Sequence, residues 1–188
     1  MAMLWWPKRG DSVGEGDAGH SSVRWAVADY SGAAPEAITS GAIVPRQCGA
    51  IEPISADRVA AALDQLDIRY IRDADGDLLA MWERHAVLFG IEGPVDEILV
   101  IRARPHATVP GDWAQRAYEA VNEWNHTRRF NKAYVGDLND VGQLPIYAEV
   151  QWPLVAGVHE AQLVEFIECA VAVSECFVSW LHDEGALL

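Results

Sequence analysis

From Val158 to Asp183 the chain carries Leu163, Ile167, Ala170, Ser174, Phe177 and Leu181 at helical spacing, with Phe166, Val171 and Val178 beside them. A stripe sustained over that span predicts a helix about 40 Å long at ~1.5 Å per residue. So long an apolar face needs an extended surface to lie on. The residues just before it alternate as a strand does: Ile146, Ala148, Val150 and Trp152 interleave with Tyr147, Glu149 and Gln151, which predicts one buried face and one largely polar face. Pro153 and Gly157 separate the two patterns.

The preceding sequence supplies the rest of a sheet. Ser55 is placed to cap a helix with Asp57 in its first turn and Val59, Ala62, Leu63 and Leu66 on one face. Ile68–Ile71 and Leu78–Trp82 flank the Asp73–Asp77 turn, whose Asp-Gly pair suits a hairpin. The runs Ala86–Ile91 and Glu97–Ala103 are joined through Gly93-Pro94. A second helix follows Pro110, with Trp113, Ala117, Ala120, Val121 and Trp124 in one stripe, so that it presents two tryptophans to a neighbouring surface. Lys132–Val135 then pairs with Pro145–Trp152 as two strands. The predicted fold is a two-layer α+β domain. An antiparallel meander sheet is covered by helices on one face, in the order α-β(3-4)-α-β-β-α.

Residues 1–50 read as a flexible N-terminal arm and residues 51–188 as the folded domain. The arm is rich in Gly, Ser, Ala and Pro and holds four basic against five acidic residues. Its two apolar spots, Leu4-Trp5-Trp6 and Trp25–Tyr30, would gain about 2 to 3 kcal/mol per tryptophan on burial, so two readings stay open: the arm docks through them, or it is a mobile extension with incidental aromatics. The whole chain of 188 residues has a formal charge of −14. That charge disfavours phosphate backbones and anionic lipid surfaces, so neither a nucleic acid nor a membrane is expected as partner. No apolar run reaches the ~20 residues needed to span a bilayer, and Lys8, Arg9 and Asp11 interrupt the start before a secretory segment can form. A cytoplasmic location is expected.

No signal for catalysis emerges. Cys48, Cys169 and Cys176 lack zinc-ligand spacing, and Cys169 and Cys176, seven apart, are expected to pack as small hydrophobes in the last helix. Asp73, Asp75 and Asp77 imitate a calcium loop, but Leu78 and Arg84 stand where its glycine and glutamate belong; an acidic hairpin turn is expected instead. Six dispersed histidines form no metal motif, no nucleophile elbow or phosphate loop is present, and no cofactor is expected.

The densest cluster of polar and basic groups runs from Asn122 to Tyr134. Asn122 and Asn125 sit at a helix end, able to bond a turn or the entering strand, and Arg128, Arg129 and Lys132 form the only close basic group in an acidic chain. These guanidinium groups suit the clamping of carboxylates on a protein partner. They equally suit a helix C-terminus, where cations are favoured by the dipole and pair with neighbouring acids.

Val121-Asn122-Glu123-Trp124-Asn125, followed by Phe130, Lys132, Ala133 and Tyr134 and then by a strand and a long final helix, resembles the YbjN family of bacterial sensory transduction regulators. The resemblance covers roughly residues 54–185. It implies a fold akin to type III secretion chaperones, and it marks Asn122, Trp124, Asn125, Phe130, Lys132 and Tyr134 as the residues matching the family pattern. The family has no agreed catalytic residues to carry over. The fifty-residue arm and an added strand near Ile68 depart from the pattern.

The expected function is a non-catalytic interaction or regulatory module that recognises a protein segment through sheet edges and apolar grooves. Its candidate surface is Asn122, Trp124, Asn125, Arg128, Arg129, Phe130, Lys132 and Tyr134. A homodimer is expected too, because the last helix carries Trp180 and Val173 outside its main stripe. Two rival readings are a small-ligand sensor with a cavity lined by Trp82, Trp124 and Trp152, and a hydrolase built from dispersed polar residues.

Overall fold

The computed structural model describes residues 49–185 and 187–188, so the expectations for the arm before residue 49 lie outside the described residues. Helix α1 (Ala56–Gln65) starts where the Ser55 hydroxyl accepts a hydrogen bond from the Arg58 backbone N–H at 3.3 Å. It buries Val59, Ala60, Ala62 and Leu63. Arg58 also pins the incoming chain, its guanidinium donating to the carbonyls of Glu52, Pro53 and Val158 at 2.7 to 2.8 Å. Gly157 completes that junction: its φ is +83°, and a Cβ there would come within 2.7 Å of the Glu52 carbonyl oxygen.

Strands β1 (Tyr70–Arg72) and β2 (Leu78–Met81) form the expected hairpin. The Asp73 carboxylate accepts from the N–H groups of Asp75 and Asp77 at 2.9 Å each through one oxygen, so the Asp73 side chain holds the turn. β3 (His85–Glu92), β4 (Ile98–Pro105), β5 (Val109–Pro110), α2 (Ala114–Thr127), β6 (Lys132–Val135), β7 (Gln143–Leu144), β8 (Ile146–Pro153) and α3 (Glu160–His182) follow in that order. Trp113 lies in a 3-10 turn ahead of α2 and is 43% exposed beneath the Arg116 guanidinium, so α2 buries one tryptophan, Trp124, and not two.

Every strand pairing is antiparallel. The six-stranded sheet runs β1-β2-β3-β4-β8-β6, and β5 pairs with β7 in a separate two-stranded ribbon. The ribbon escaped the sequence reading because two residues are too few to show a period.

The register places Leu78, Ala80, Val87, Phe89, Leu99, Ile101 and Ala103 on one face together with Ala133, Ile146 and Ala148. The first seven pack with α1 and with Leu163, Ile167 and Ala170 of α3. The last three pack with α2 and with Phe177, Val178, Trp180 and Leu181. The helix α3 therefore covers two cores in succession, and each fully buried Leu, Ile or Phe contributes about 1.5 to 3 kcal/mol. Ser174, inside this stripe, satisfies its hydroxyl by donating to the Ala170 carbonyl at 2.7 Å.

Two expectations about α3 are corrected. Cys169 and Cys176 are exposed, because the face they share also carries Glu165, Glu168, Ala172 and Glu175 and turns away from the sheet. Trp180 is buried against Trp124, and Val173 packs on the second core, so the helix spends its apolar width within its own chain. The far side of β8 is also less polar than expected. Tyr147 is 4% exposed and stacks on Tyr134, its partner in register, at 5.2 Å.

Candidate functional site

The segment from Asn122 to Tyr134 joins the end of α2 to β6, and the fold divides its side chains by task. Trp124 is 2% exposed, edge-on to Phe177 at 5.0 Å, and its indole N–H donates to the Asn131 side-chain oxygen at 2.8 Å. Burying an indole requires such a partner for its single donor. Asn125 acts on the strand. Its amide N–H donates to the Ala133 carbonyl and its oxygen accepts the Ala133 N–H, both at 2.8 Å. One side-chain amide thus supplies what a further strand would have supplied, and closes the outer edge of β6 at that residue. Asn131, which the sequence reading passed over, is 6% exposed and belongs to the same device. Its spacing of seven from Trp124 offered no signal, because the contact exists only after the chain reverses at the helix end.

Three residues of the turn face outward. Arg128 ends α2 in an extended conformation (φ −121°, ψ 150°), with its guanidinium 5.3 Å from the centre of the Trp124 ring. Arg129 is exposed. Phe130 is 42% exposed and meets Trp152 edge-on at 5.7 Å, while Trp152 stacks on Phe166 of α3 at 4.6 Å with planes 10° apart. Among the described residues no carboxylate lies within ion-pair distance of Arg128, Arg129 or Lys132. Of the two sequence readings, pairing of these cations with neighbouring acids does not occur among the described residues.

The remaining candidates lie elsewhere. Asn122 is exposed on α2. Lys132 and Tyr134 alternate with Ala133 and so occupy the sheet face opposite the helices. Tyr134 donates its hydroxyl to Glu149 at 3.2 Å, and Glu149 also binds the Arg102 guanidinium. Burial is the largest cause holding the Tyr134 hydroxyl well above the ordinary phenol range, with nearby Arg102 opposing it. Burial likewise raises Tyr147, against the pull of Arg104 and Arg102.

The three tryptophans expected to line one cavity fall into three separate ring groups. Trp124 packs with Phe177 and Trp180, Trp152 with Phe130 and Phe166, and Trp82 stacks on His85 at 5.1 Å. Among the described residues no group of His, Cys, Asp or Glu is arranged to hold a metal ion, and no helix is long and apolar enough to cross a membrane.

Comparison with known proteins agrees with this architecture. A solved structure described as "Crystal structure of YbjN, a putative transcription regulator from E. coli" superposes with a TM-score of 0.60, covering 72% of this chain and 97% of that one at 14% identity. At that identity the likeness concerns the fold. No curated protein matches the chain. The family model described as "YbjN: Putative bacterial sensory transduction regulator" matches residues 55–183. The matched stretch contains the whole six-stranded sheet and every α-helix of the described residues, and on that ground the chain belongs to the YbjN family.

Proposed function

We propose that this protein is a non-catalytic regulatory module of the cytoplasm that recognises an acidic protein segment, in the manner of a chaperone, at the rim formed by Arg128, Arg129 and Phe130. One observation carries the reading. Two cations with no carboxylate partner among the described residues precede an exposed phenylalanine whose ring continues into Trp152 and Phe166. In a chain of charge −14, such cations are available to a partner's carboxylates, and the aromatic run offers apolar contact beside them. The description of the family as a regulator supports a role exercised through binding. Trp124 and Asn125 contribute by fixing the turn on which the three outward residues stand.

The test is co-purification from native cells with the full chain as bait. The pair R128E/R129E and the single change F130A should each abolish recovery of the same partner. V95A, at an exposed hydrophobic position far along the sequence, should leave recovery intact. Equal recovery with all baits would overturn the proposal.

A further inference from the structure

Strand β1 is one margin of the six-stranded sheet, and among the described residues no strand pairs with its outer side. The Asp73 N–H donates to the Asp77 carbonyl at 2.9 Å, and β1 continues from there with Arg72 opposite Leu78, Ile71 opposite Leu79 and Tyr70 opposite Ala80. Antiparallel ladders bond every second pair, so Ile71 turns its N–H and C=O towards β2, while Tyr70 and Arg72 turn theirs outward. Among the described residues those outward groups meet no hydrogen-bond partner. Beside them, on the face away from the helices, Ile71 is 48% and Met81 57% exposed. An edge of this kind is a template for another strand.

We infer that the occupant is a second copy of this chain, paired β1 to β1 in antiparallel fashion about a two-fold axis at Ile71. This goes beyond the rim reading and does not depend on it, since the rim lies at the other margin of the sheet. The sequence of the edge selects this register. With Ile71 opposite Ile71 of the second copy, Tyr70 faces Arg72 and the two exchange main-chain hydrogen bonds, as their outward groups require. On the other face, Arg69 comes opposite Asp73 of the second copy, and the same pair recurs across the axis. Opposite charges therefore meet twice, and two exposed isoleucines cover each other. Centring the axis on Arg72 would oppose two guanidinium groups. Extending the Ile71-centred ladder outward would oppose Asp67 and Asp75, which limits it to the five residues from Arg69 to Asp73. A seam that short falls among interfaces below about 1,200 Å², which are weak and transient. The dimer is accordingly a high-concentration species.

The test uses the full chain with Cys48, Cys169 and Cys176 changed to Ser. Cross-strand Cα atoms at such a non-hydrogen-bonded pair are about 4.5 Å apart, within disulfide reach. I71C should therefore form a covalent dimer under mild oxidation, whereas R69C, which faces residue 73 and not itself, should not. Adding R72P, which deletes one outward N–H without touching a bond to β2, should abolish cross-linking of I71C. Sedimentation of the unmodified chain between about 10 μM and about 1 mM should show a rise in mass, and R72P should remove it. R128E/R129E should leave the rise unchanged, which separates this result from the fate of the rim proposal. I71C that stays monomeric, cross-links no better than R69C, or is indifferent to R72P would overturn the inference.

Discussion

The two margins of the sheet face the same physical problem and answer it differently. At β6 the outward N–H and C=O of Ala133 are both taken by the Asn125 amide, and the preceding residue of the helix, Trp124, is tied to Asn131 just ahead of the same strand. At β1 the outward groups of Tyr70 and Arg72 meet no hydrogen-bond partner among the described residues. A sheet margin is thus not a surface of fixed character. One asparagine at the right height on a neighbouring helix blocks a strand template at one residue, and its absence leaves the template adhesive.

The largest effect should come from the support beneath the sealed margin. Trp124→Ala removes the ring that meets Phe177 and Trp180 and orphans Asn131, and it should destabilise the domain by about 3 to 5 kcal/mol, read by urea denaturation. Asn125→Ala leaves the core intact and exposes the two Ala133 groups. A loss of about 2 kcal/mol is expected, together with new concentration-dependent light scattering as β6 becomes a template. If stability falls without any gain in association, the amide is merely a brace, and the contrast between the margins fails.

Acid should act on the body of the sheet and spare both margins. His85 is 4% exposed with its Nε2 unpartnered, and burial lowers its pKa below the ordinary imidazole value, with Glu175 opposing and His106 reinforcing the shift. The unfolded chain therefore binds this proton more readily than the folded one. Stability should be full above the unfolded pKa near 6.5 and should decline as pH falls through and below it. His85→Phe, which keeps a ring against Trp82, should flatten that part of the pH profile, whereas Asn125→Ala should shift the whole curve without changing its slope. The smallest effect on folding is expected from Ile71→Lys at the open margin. At a position 48% exposed, stability should change by no more than about 0.5 kcal/mol while self-association disappears.

Much of the sheet could be read from the chain because its signals are local. Alternation marked β8, Asp-Gly marked the β1–β2 turn, and the stripe from Leu163 to Leu181 marked α3. What could not be read depends on which way an element turns after packing. Cys169 and Cys176 are seven apart and necessarily share a helix face, but spacing alone does not say that the glutamates beside them claim that face for solvent. Three tryptophans at amphipathic positions suggested one cavity, yet each found a different ring partner. In the candidate cluster Arg128, Arg129 and Lys132 stood out by composition, whereas Phe130 entered through the family resemblance. The task of Asn125 was partly foreseen as a bond to the entering strand, whereas Asn131, the partner of Trp124, became visible only once β6 lay against the helix that precedes it.

One uninterrupted helix, α3, roofs both apolar clusters, with Leu163 and Ile167 over the first and Phe177 and Leu181 over the second. Neither cluster can melt alone without stripping the cover from the other or fraying the helix between them, so the domain should lose its structure in one cooperative step. Amide protons near Ala170 and Ser174, at the crossing from one cluster to the next, should then exchange with solvent only when the entire domain opens. Their protection factors would report the global unfolding free energy directly.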